Sequence, residues 1–583
     1  MTLLRPRYLA FLSFLTALPL AACAAITPIH DIQGSGEASP MVDKQATIQG
    51  IVLGTYGDSI SGFFVQEEQA DWDNDPATSE GLFIYDKEGI AQVKPGNVVR
   101  VSGKVTEFKG LTQLSFLTSV EVLGSERPMA VPVVLPVATP SMLERYEGML
   151  VRFEEPMTVV ETYDLGRYGS VTLAAGGRLW NPTNVAMPGE AARKQAAANN
   201  ARRIILDDGS NRRNPSPIPF LPAGGTLRAG DTVTDLMAVM TYSFDEYRLY
   251  PVAPVAFQPG NPRPAAPPPV GGSLRVASAN LLNYFNGDGK GGGFPTERGA
   301  TTPTEFRRQH AKAVAALLGL QADIVGLMEV ENDGFGEESS LMMLVRGLND
   351  AAPEGVQYAA VTTDQNLGTD AIRVALIYNT KTVRPAGTAA ACNEPPFTGR
   401  RPPLAQTFEQ IATGEKLTVA VNHFKSKGCG SASGANADQS DGQGCWNQER
   451  TESARTLVRW LASHPTGVQD DDFLIIGDLN AYAMEDPVRT IREAGYVDVL
   501  AAHNEGVPYS YIYKGEAGYL DHALASPSLA KCVTGAAEWH INADEPRVLD
   551  YNEEDRPANL YAPGAWRASD HDPVLVGIEL GPR

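Results

Sequence analysis

At 583 residues, with 43% apolar side chains, 56 Gly and 42 Pro, the chain is too long for one core and reads as several globular, loop-rich domains. Its formal net charge of -21 and pI near 4.9 exclude a protein that holds nucleic acid through a general positive field. Any polyanion it handles must be met by bound cations and a few well-placed arginines.

The chain opens on MTLLRPRYLAFLSFLTALPLAACAA, in which Arg5 and Arg7 precede an apolar stretch from Tyr8 to Leu20 and then small residues. That is the pattern of an export signal, and the stretch is short for a bilayer span. LAAC, Leu20 to Cys23, is similar to the bacterial lipobox, so Cys23 is expected to carry a lipid anchor to the membrane. With Ala24 rather than Asp after that Cys, the resemblance to such lipoproteins implies the outer membrane. Cleavage within ACAA without lipidation is the alternative. Residues 1–23 are therefore expected to be a signal peptide with lipobox, and the product to be exported, either as an outer-membrane lipoprotein facing periplasm or surface or in secreted form.

Residues 41–125 alternate short apolar runs with turn signals, as in ATIQGIVLG, GLFIYD and NVVRVSGKVTEF, which predicts a small β-barrel. Residues 130–257 close on a segment that echoes the first: Gly230 matches Gly96, Val233 matches Val99, Val239 matches Val105 and Tyr242 matches Phe108. A second barrel of the same kind is expected there. Phe63, Phe64, Trp72 and Tyr85 could stack bases, although filling the barrel is the better reading of each. Residues 258–273, QPGNPRPAAPPPVGGS, form a Pro-rich linker.

From 274 to 583 the pattern changes. LRVASANLL, ADIVGLMEV, AIRVALIYN, KLTVAVNHF and DDFLIIGDLNA read as strands, while EFRRQHAKAVAALLGL and RTESARTLVRWLAS read as helices. Consecutive strands without a helix between them favour mixed sheets packed face to face over a doubly wound sheet. Cys392, Cys429, Cys445 and Cys532 suggest two disulfides in an exported chain, with Cys429 to Cys445 the favoured local pair.

The predicted strands of this domain end in polar chemistry: Asn280, Glu329, His423, Asp478 with Asn480, Asp521, and Asp570 with His571. Met singly, each is more often a turn or a solvated strand end than a site. Together they are hard to bury without a cation.

The order of these residues, with GDLNA in the middle and ASDHDPV at the end, resembles the endonuclease/exonuclease/phosphatase superfamily, which includes deoxyribonuclease I, abasic-site endonucleases, sphingomyelinases and inositol phosphatases. Within it, NLLNYFN, LMEVENDG, NHFKSKG and DGQGCWNQER are similar to extracellular bacterial endonucleases that carry an OB-like domain ahead of the catalytic one. The resemblance implies an α+β chain: a C-terminal four-layer sandwich of two packed mixed sheets flanked by helices, preceded by two small OB-like β-barrel modules.

It also implies a divalent-metal-dependent phosphodiesterase acting on DNA, with RNA left open and no protein partner evident. Asn280, Glu329 and Asp570 would hold Mg2+ or Mn2+, hard ions suited to oxygen ligands, and Ca2+ as a loop support stays open. Asp478 would orient or deprotonate the attacking water and Asn480 donate to it or to the phosphate. His571, held by Asp521, and His423 would meet the phosphoryl and leaving oxygens, the division of acid and base among them remaining open. Arg401 is a weaker candidate for phosphate contact, and Asp370 for a partner of His423. A phosphatase, a phospholipase-like phosphodiesterase, or a surface binding scaffold with a decayed domain are the alternatives; the intact set of polar residues argues against decay.

Overall fold

The computed structural model describes residues 25–56, 60–86, 92–222, 225–556 and 560–581, so the expected signal peptide and Cys23 lie outside the described residues. No described helix is long and apolar enough to cross a membrane.

Five strands, Gln45–Thr55, Gly62–Gln66, Gly81–Tyr85, Asn97–Phe108 and Leu111–Ser125, close a barrel in the order first, second, third, fifth, fourth. Alternation sends Ile48, Phe63, Val65, Val99, Val101 and Val105 into its core. Phe64 faces the other way, into a small apolar seam with Leu150, Val239 and Tyr250 of the next module. Both phenylalanines are thus fully buried, whereas Tyr85 is 39% exposed.

The second module differs from expectation. Its eight strands form an open sheet rather than a barrel, bounded by Thr232–Val233 on one edge and Val131–Pro132 on the other. Edges of two residues, one ending in a proline that has no N–H to donate, cannot pair to close the sheet. The sequence echo survives locally. Gly96 and Gly230 both take a positive φ, 86° and 103°, where only glycine is at ease. The segment that is one strand in the barrel is interrupted here, ending at Val233 and resuming at Leu236, with Asp235 between at φ 55°.

In the last domain two six-stranded mixed sheets pack face to face. One runs Tyr358–Ala360, Ile372–Asn379, Ile324–Glu331, Leu274–Tyr284, Val574–Ile578, Val533–Glu538; the other runs Val383–Ala391, Leu404–Gln410, Lys416–His423, Phe473–Asp478, Asp521–Ala525, Val497–Asp498. Val276, Ile324, Leu376, Val421, Ile476 and Ala523 fill the space between. Gly326 permits the close approach: a Cβ there would lie 2.6 Å from Ile476 and 3.0 Å from Val421. The helix Pro303–Leu320, capped by Thr302 at the Glu305 N–H, covers one outer face with Ala313, Leu317 and Leu320. The helix Asn447–Leu461 covers the other with Ala454, Leu457 and Leu461.

Each sheet contains one parallel pair, Leu274–Tyr284 with Ile324–Glu331 and Lys416–His423 with Phe473–Asp478. These two helices are the crossovers that parallel pairing requires. Cys429 and Cys445 form the expected disulfide. The second expected bridge is not there: Cys392 is a buried thiol under the helix Asn447–Leu461, while Cys532 packs against the core between the sheets.

At the front of the barrel, His30 Nδ1 lies 3.0 Å from Glu67 Oε2 and 3.1 Å from Glu80 Oε2, and the Ile29 N–H donates to Glu67. This clips the short helix Ile29–Gln33 to the barrel. Burial, aided by Glu80, pushes the Glu67 carboxyl up to about 8, and the two glutamates raise His30 against the opposing effect of its burial. Both folded-state values are raised, so the clip is strongest below the ordinary carboxyl range and weakens as pH climbs towards about 8. Hydrogen exchange of the 29–33 amides, corrected for intrinsic rates, should accelerate severalfold between pH 5 and pH 9, and Glu67→Gln should flatten that dependence.

Candidate functional site

The C-terminal ends of the two parallel pairs meet at one rim of the sandwich. Asn280 and Glu329 come from one sheet, His423 and Asp478 from the other, where they are register partners. Asp521 opens the next strand directly opposite Asp478. His571 and Asp570 arrive on the loop before Val574–Ile578, which pairs with Leu274–Tyr284.

Register breaks follow Asn280 and fall between Leu327 and Val330, and Glu329 sits at φ 61° with Leu282 and Asn283 at 54° and 53°. Non-glycine residues held there cost on the order of 1–3 kcal/mol each and persist where surrounding structure forces them. These bulges aim Glu329 out of the sheet. Its Oε1 accepts from Asn280 Nδ2 at 3.2 Å and its Oε2 from the Asn283 N–H at 2.9 Å.

His571 Nδ1 lies 2.7 Å from Asp521 Oδ2, which also accepts from Ser510 Oγ at 2.7 Å. Burial opposes charge on this imidazole, but Asp521 at contact, with Asp570 and Asp478, holds it protonated well above its ordinary range. Asp478 is pushed up to about 7, by burial first, with His571 resisting and Asp521 adding to the shift. His423 Nε2 stands 3.5 Å from Asp478 Oδ2, and burial together with Arg401, His571, Arg298 and Lys425 drives its basicity well below normal. The arrangement therefore offers a neutral imidazole, a carboxylate poised near neutrality and an imidazolium, the graded set that proton transfer and charge stabilisation at phosphorus require. Asn480, at φ 47°, gives its N–H to Asp478 Oδ1 at 2.7 Å and its Nδ2 to Asp478 Oδ2 at 3.2 Å and to the Phe424 carbonyl at 3.1 Å.

Glu329 is raised by burial and by the neighbouring charge of Asp570, so two carboxylates face each other with too little positive charge between them. That surplus and the all-oxygen donors fit a hard divalent cation. Of the expected ligands, Glu329 and Asp570 keep lone pairs for such an ion. So does Asn280: its Oδ1 accepts a single bond, from the Leu282 N–H at 2.9 Å, while its Nδ2 orients Glu329.

Two further expectations change. Arg401 does not offer its fork to a phosphate; it donates to the His423 and Phe424 carbonyls and to Asp370 at 2.8 Å, and so holds the strand end that carries His423. Asp370 is accordingly the partner of Arg401, and of Arg298 at 3.2 Å, not of His423. Lys425 and Arg400 line the same small cavity as His423, 5.3 Å and 5.7 Å from the Trp446 ring, with Arg400 paired to Glu449 at 3.1 Å and Trp446 next in sequence to Cys445 of the bridge. Sequence reading missed Tyr511, whose ring stacks on His571 at 4.5 Å, and Asn542, which accepts from the Ala568 N–H at 2.8 Å, donates to the His571 carbonyl at 2.7 Å and so shapes the SDHD loop. Neither lies in a motif or follows a strand run.

A sandwich with this rim defines a phosphoester hydrolase in class, and the sequence agrees: the pattern of the "Endonuclease/Exonuclease/phosphatase family" matches residues 277–571, more than half of the chain. The chain belongs to that family, whose members include nucleases and phosphatases and whose enzymes generally use divalent metals. Residues 141–259 match a domain of unknown function. Solved structures similar to it include an endonuclease/exonuclease/phosphatase protein from Bacteroides vulgatus, 17% identical over 53% of this chain and 99% of that one, with a TM-score of 0.34. A mannosyl-6-phosphatase from Bacteroides thetaiotaomicron is 17% identical over 53% and 100%, at 0.34. Danio rerio TDP2 complexed with a single-strand DNA product is 18% identical over 52% and 97%, at 0.32. No curated protein matches the sequence.

Asp521→Asn should lower kcat by about 100-fold or more with the fold intact by circular dichroism, because His571 loses the charge that keeps it protonated and oriented. Cys429→Ser should release the loop bearing Trp446, a restraint of about 3 kcal/mol by loop closure. Limited proteolysis should then cut between residues 429 and 445 severalfold faster than in the oxidised wild type, and at an equal rate once both are reduced.

Proposed function

We propose that the protein is a divalent-metal-dependent endodeoxyribonuclease that degrades DNA outside the cytoplasm. The observation that carries the hydrolytic part is Asp478, buried between His423 at 3.5 Å and the Asp521–His571 pair. Raised towards neutrality, Asp478 can hold a water by hydrogen bond and take its proton as it attacks phosphorus, with Asn480 fixing the carboxylate. His571, kept cationic, stabilises the charge that develops on the phosphoryl oxygens. Neutral His423 meets the opposite side of the phosphate. A divalent cation on Glu329 and Asp570 would supply further neutralisation of that charge.

A polymeric substrate is favoured over a small phosphate ester by the position of Lys425 and Arg400. In a chain of net charge -21, Lys425 and the Glu449-paired Arg400 line the cavity that holds His423, where a flanking phosphate of a strand could compete with Glu449 for them. The strand order of the N-terminal barrel supports reading it as OB-like, a fold that often tracks single strands. The signal-like N-terminus and the Cys429–Cys445 disulfide support export, with Cys23 as lipid anchor.

Purified mature protein with supercoiled plasmid should give nicked and then linear DNA in Mg2+ or Mn2+ and none with chelator. Asp478→Ala should cut about 100- to 10,000-fold more slowly. Intact plasmid with rapid release of phosphate from sugar phosphates, or of headgroups from phospholipid vesicles, would instead support the phosphatase or phospholipase reading.

A further inference from the structure

The domain of unknown function, residues 141–259, reaches into the catalytic domain with a strand of its own. Leu179–Trp180 pairs in parallel with Glu516–Gly518, whose antiparallel partner is Tyr511–Tyr513. Asn184 Oδ1 accepts from the Tyr519 N–H and its Nδ2 donates to the Pro508 carbonyl, each at 3.3 Å. Asn199 Nδ2 donates to Glu516 Oε1 at 2.7 Å, and Thr183 Oγ1 to Glu485 Oε1 at 2.6 Å. Thr183 and Asn199 are fully buried and Asn184 is 4% exposed. Gly518 lets the two domains touch, since a Cβ there would lie 2.7 Å from the Tyr482 ring and 3.1 Å from Asn184.

Polar side chains buried at a boundary between domains are costly unless each finds its partner. Here the partners converge on one hairpin. That hairpin begins at Ser510, which bonds Asp521, continues through Tyr511, stacked on His571 at an interplanar angle of 30°, and ends three residues before Asp521 itself. Among the described residues of its own domain the hairpin pairs with no other strand; the three-stranded sheet it forms is completed by Leu179–Trp180.

We propose that the 141–259 domain is a positioning part of the catalytic centre: through Asn184, Asn199 and the strand Leu179–Trp180 it holds the Tyr511–Gly518 hairpin, and so sets the Tyr511 ring against His571 and Ser510 against Asp521. This rests on reading Asp521 and His571 as the catalytic pair. An aromatic face against an imidazolium fixes the ring plane and favours its charge. Asn184 is thus a positioning residue, acting through Tyr511.

The full-length protein, with ring-13C histidine, provides a readout that does not depend on turnover. The His571 Hε1 resonance, identified by its loss in His571→Gln, is displaced by the ring current of Tyr511. Asn184→Ala and Tyr511→Leu should move it in the same direction, towards the unstacked position, while Arg193→Ala, which loses only a contact to the Ser440 carbonyl at the same boundary, should leave it unchanged. Should Asn184→Ala not fold, Glu516→Gln keeps the side-chain shape and removes the charge that Asn199 bonds, and the same displacement is expected. On whichever ester the wild type hydrolyses, Asn184→Ala should lower kcat about tenfold with KM within about twofold, and the double variant should be no slower than Tyr511→Leu alone. An unmoved resonance in folded Asn184→Ala or Glu516→Gln, or losses that simply add, overturns the proposal. A wild type that hydrolyses no phosphoester overturns the functional reading, and the resonance still decides this one.

Discussion

The site depends on one charged pair placed where water is scarce. Asp521 and His571 meet at 2.7 Å inside the rim of the sandwich, both almost fully buried. A pair in that position is strongly disrupted if either partner is lost, since the other charge is left without solvent or partner. The neighbourhood is built around that demand. Ser510 satisfies the same Asp521 oxygen, Asn542 fixes the loop carrying His571, and the imidazolium in turn tempers the crowding of Asp478, Glu329 and Asp570. With its cation removed, three acids would face one another in a medium that cannot screen them.

The two parallel pairs explain why these groups converge. A parallel pair needs a helical crossover, and the crossovers lie on the outer faces, so both pairs present their C-terminal ends to the same rim. Local distortion completes the aim. Glu329 and Asn480 are each twisted into a left-handed backbone conformation, one beyond a bulge and one beyond a strand end. Arg401, anchoring the carbonyls of His423 and Phe424, restrains the rim of the second sheet as the Asn280 amide, donating to Glu329, restrains that of the first.

Much of this is legible in the amino-acid sequence. Apolar runs that end abruptly in acid, amide or imidazole announce buried strands with polar ends, and every such residue from Asn280 to His571 falls at the rim. Pair identity was legible where the partners were few, as with Asp521 and His571. It failed where a long side chain had a choice: Arg401 reached for backbone carbonyls, which no residue pattern encodes, and took Asp370 with it. Tyr511 sits on a hairpin of three-residue strands, too short for periodicity to mark. Asn184 lies 337 residues before Asp521, in a domain whose sheet was expected to close and instead stays open with helices at its side. Parity alone suggests a second disulfide, whereas Cys392 and Cys532 belong to cores on opposite faces of a sheet.

The pairing of Leu274–Tyr284 with Val574–Ile578 carries a consequence for how the molecule is made. The first strand of the catalytic domain waits for its last, and the loop immediately before that last strand brings Asp570 and His571. Contacts so distant in sequence form late and slowly. A growing chain therefore carries Glu329 and Asp478 long before it carries Asp570 and His571, which complete the rim. A polypeptide interrupted before residue 571 lacks the last members of the rim, so the order of the strands itself delays completion of the Asp521–His571 pair until synthesis has passed nearly the whole domain.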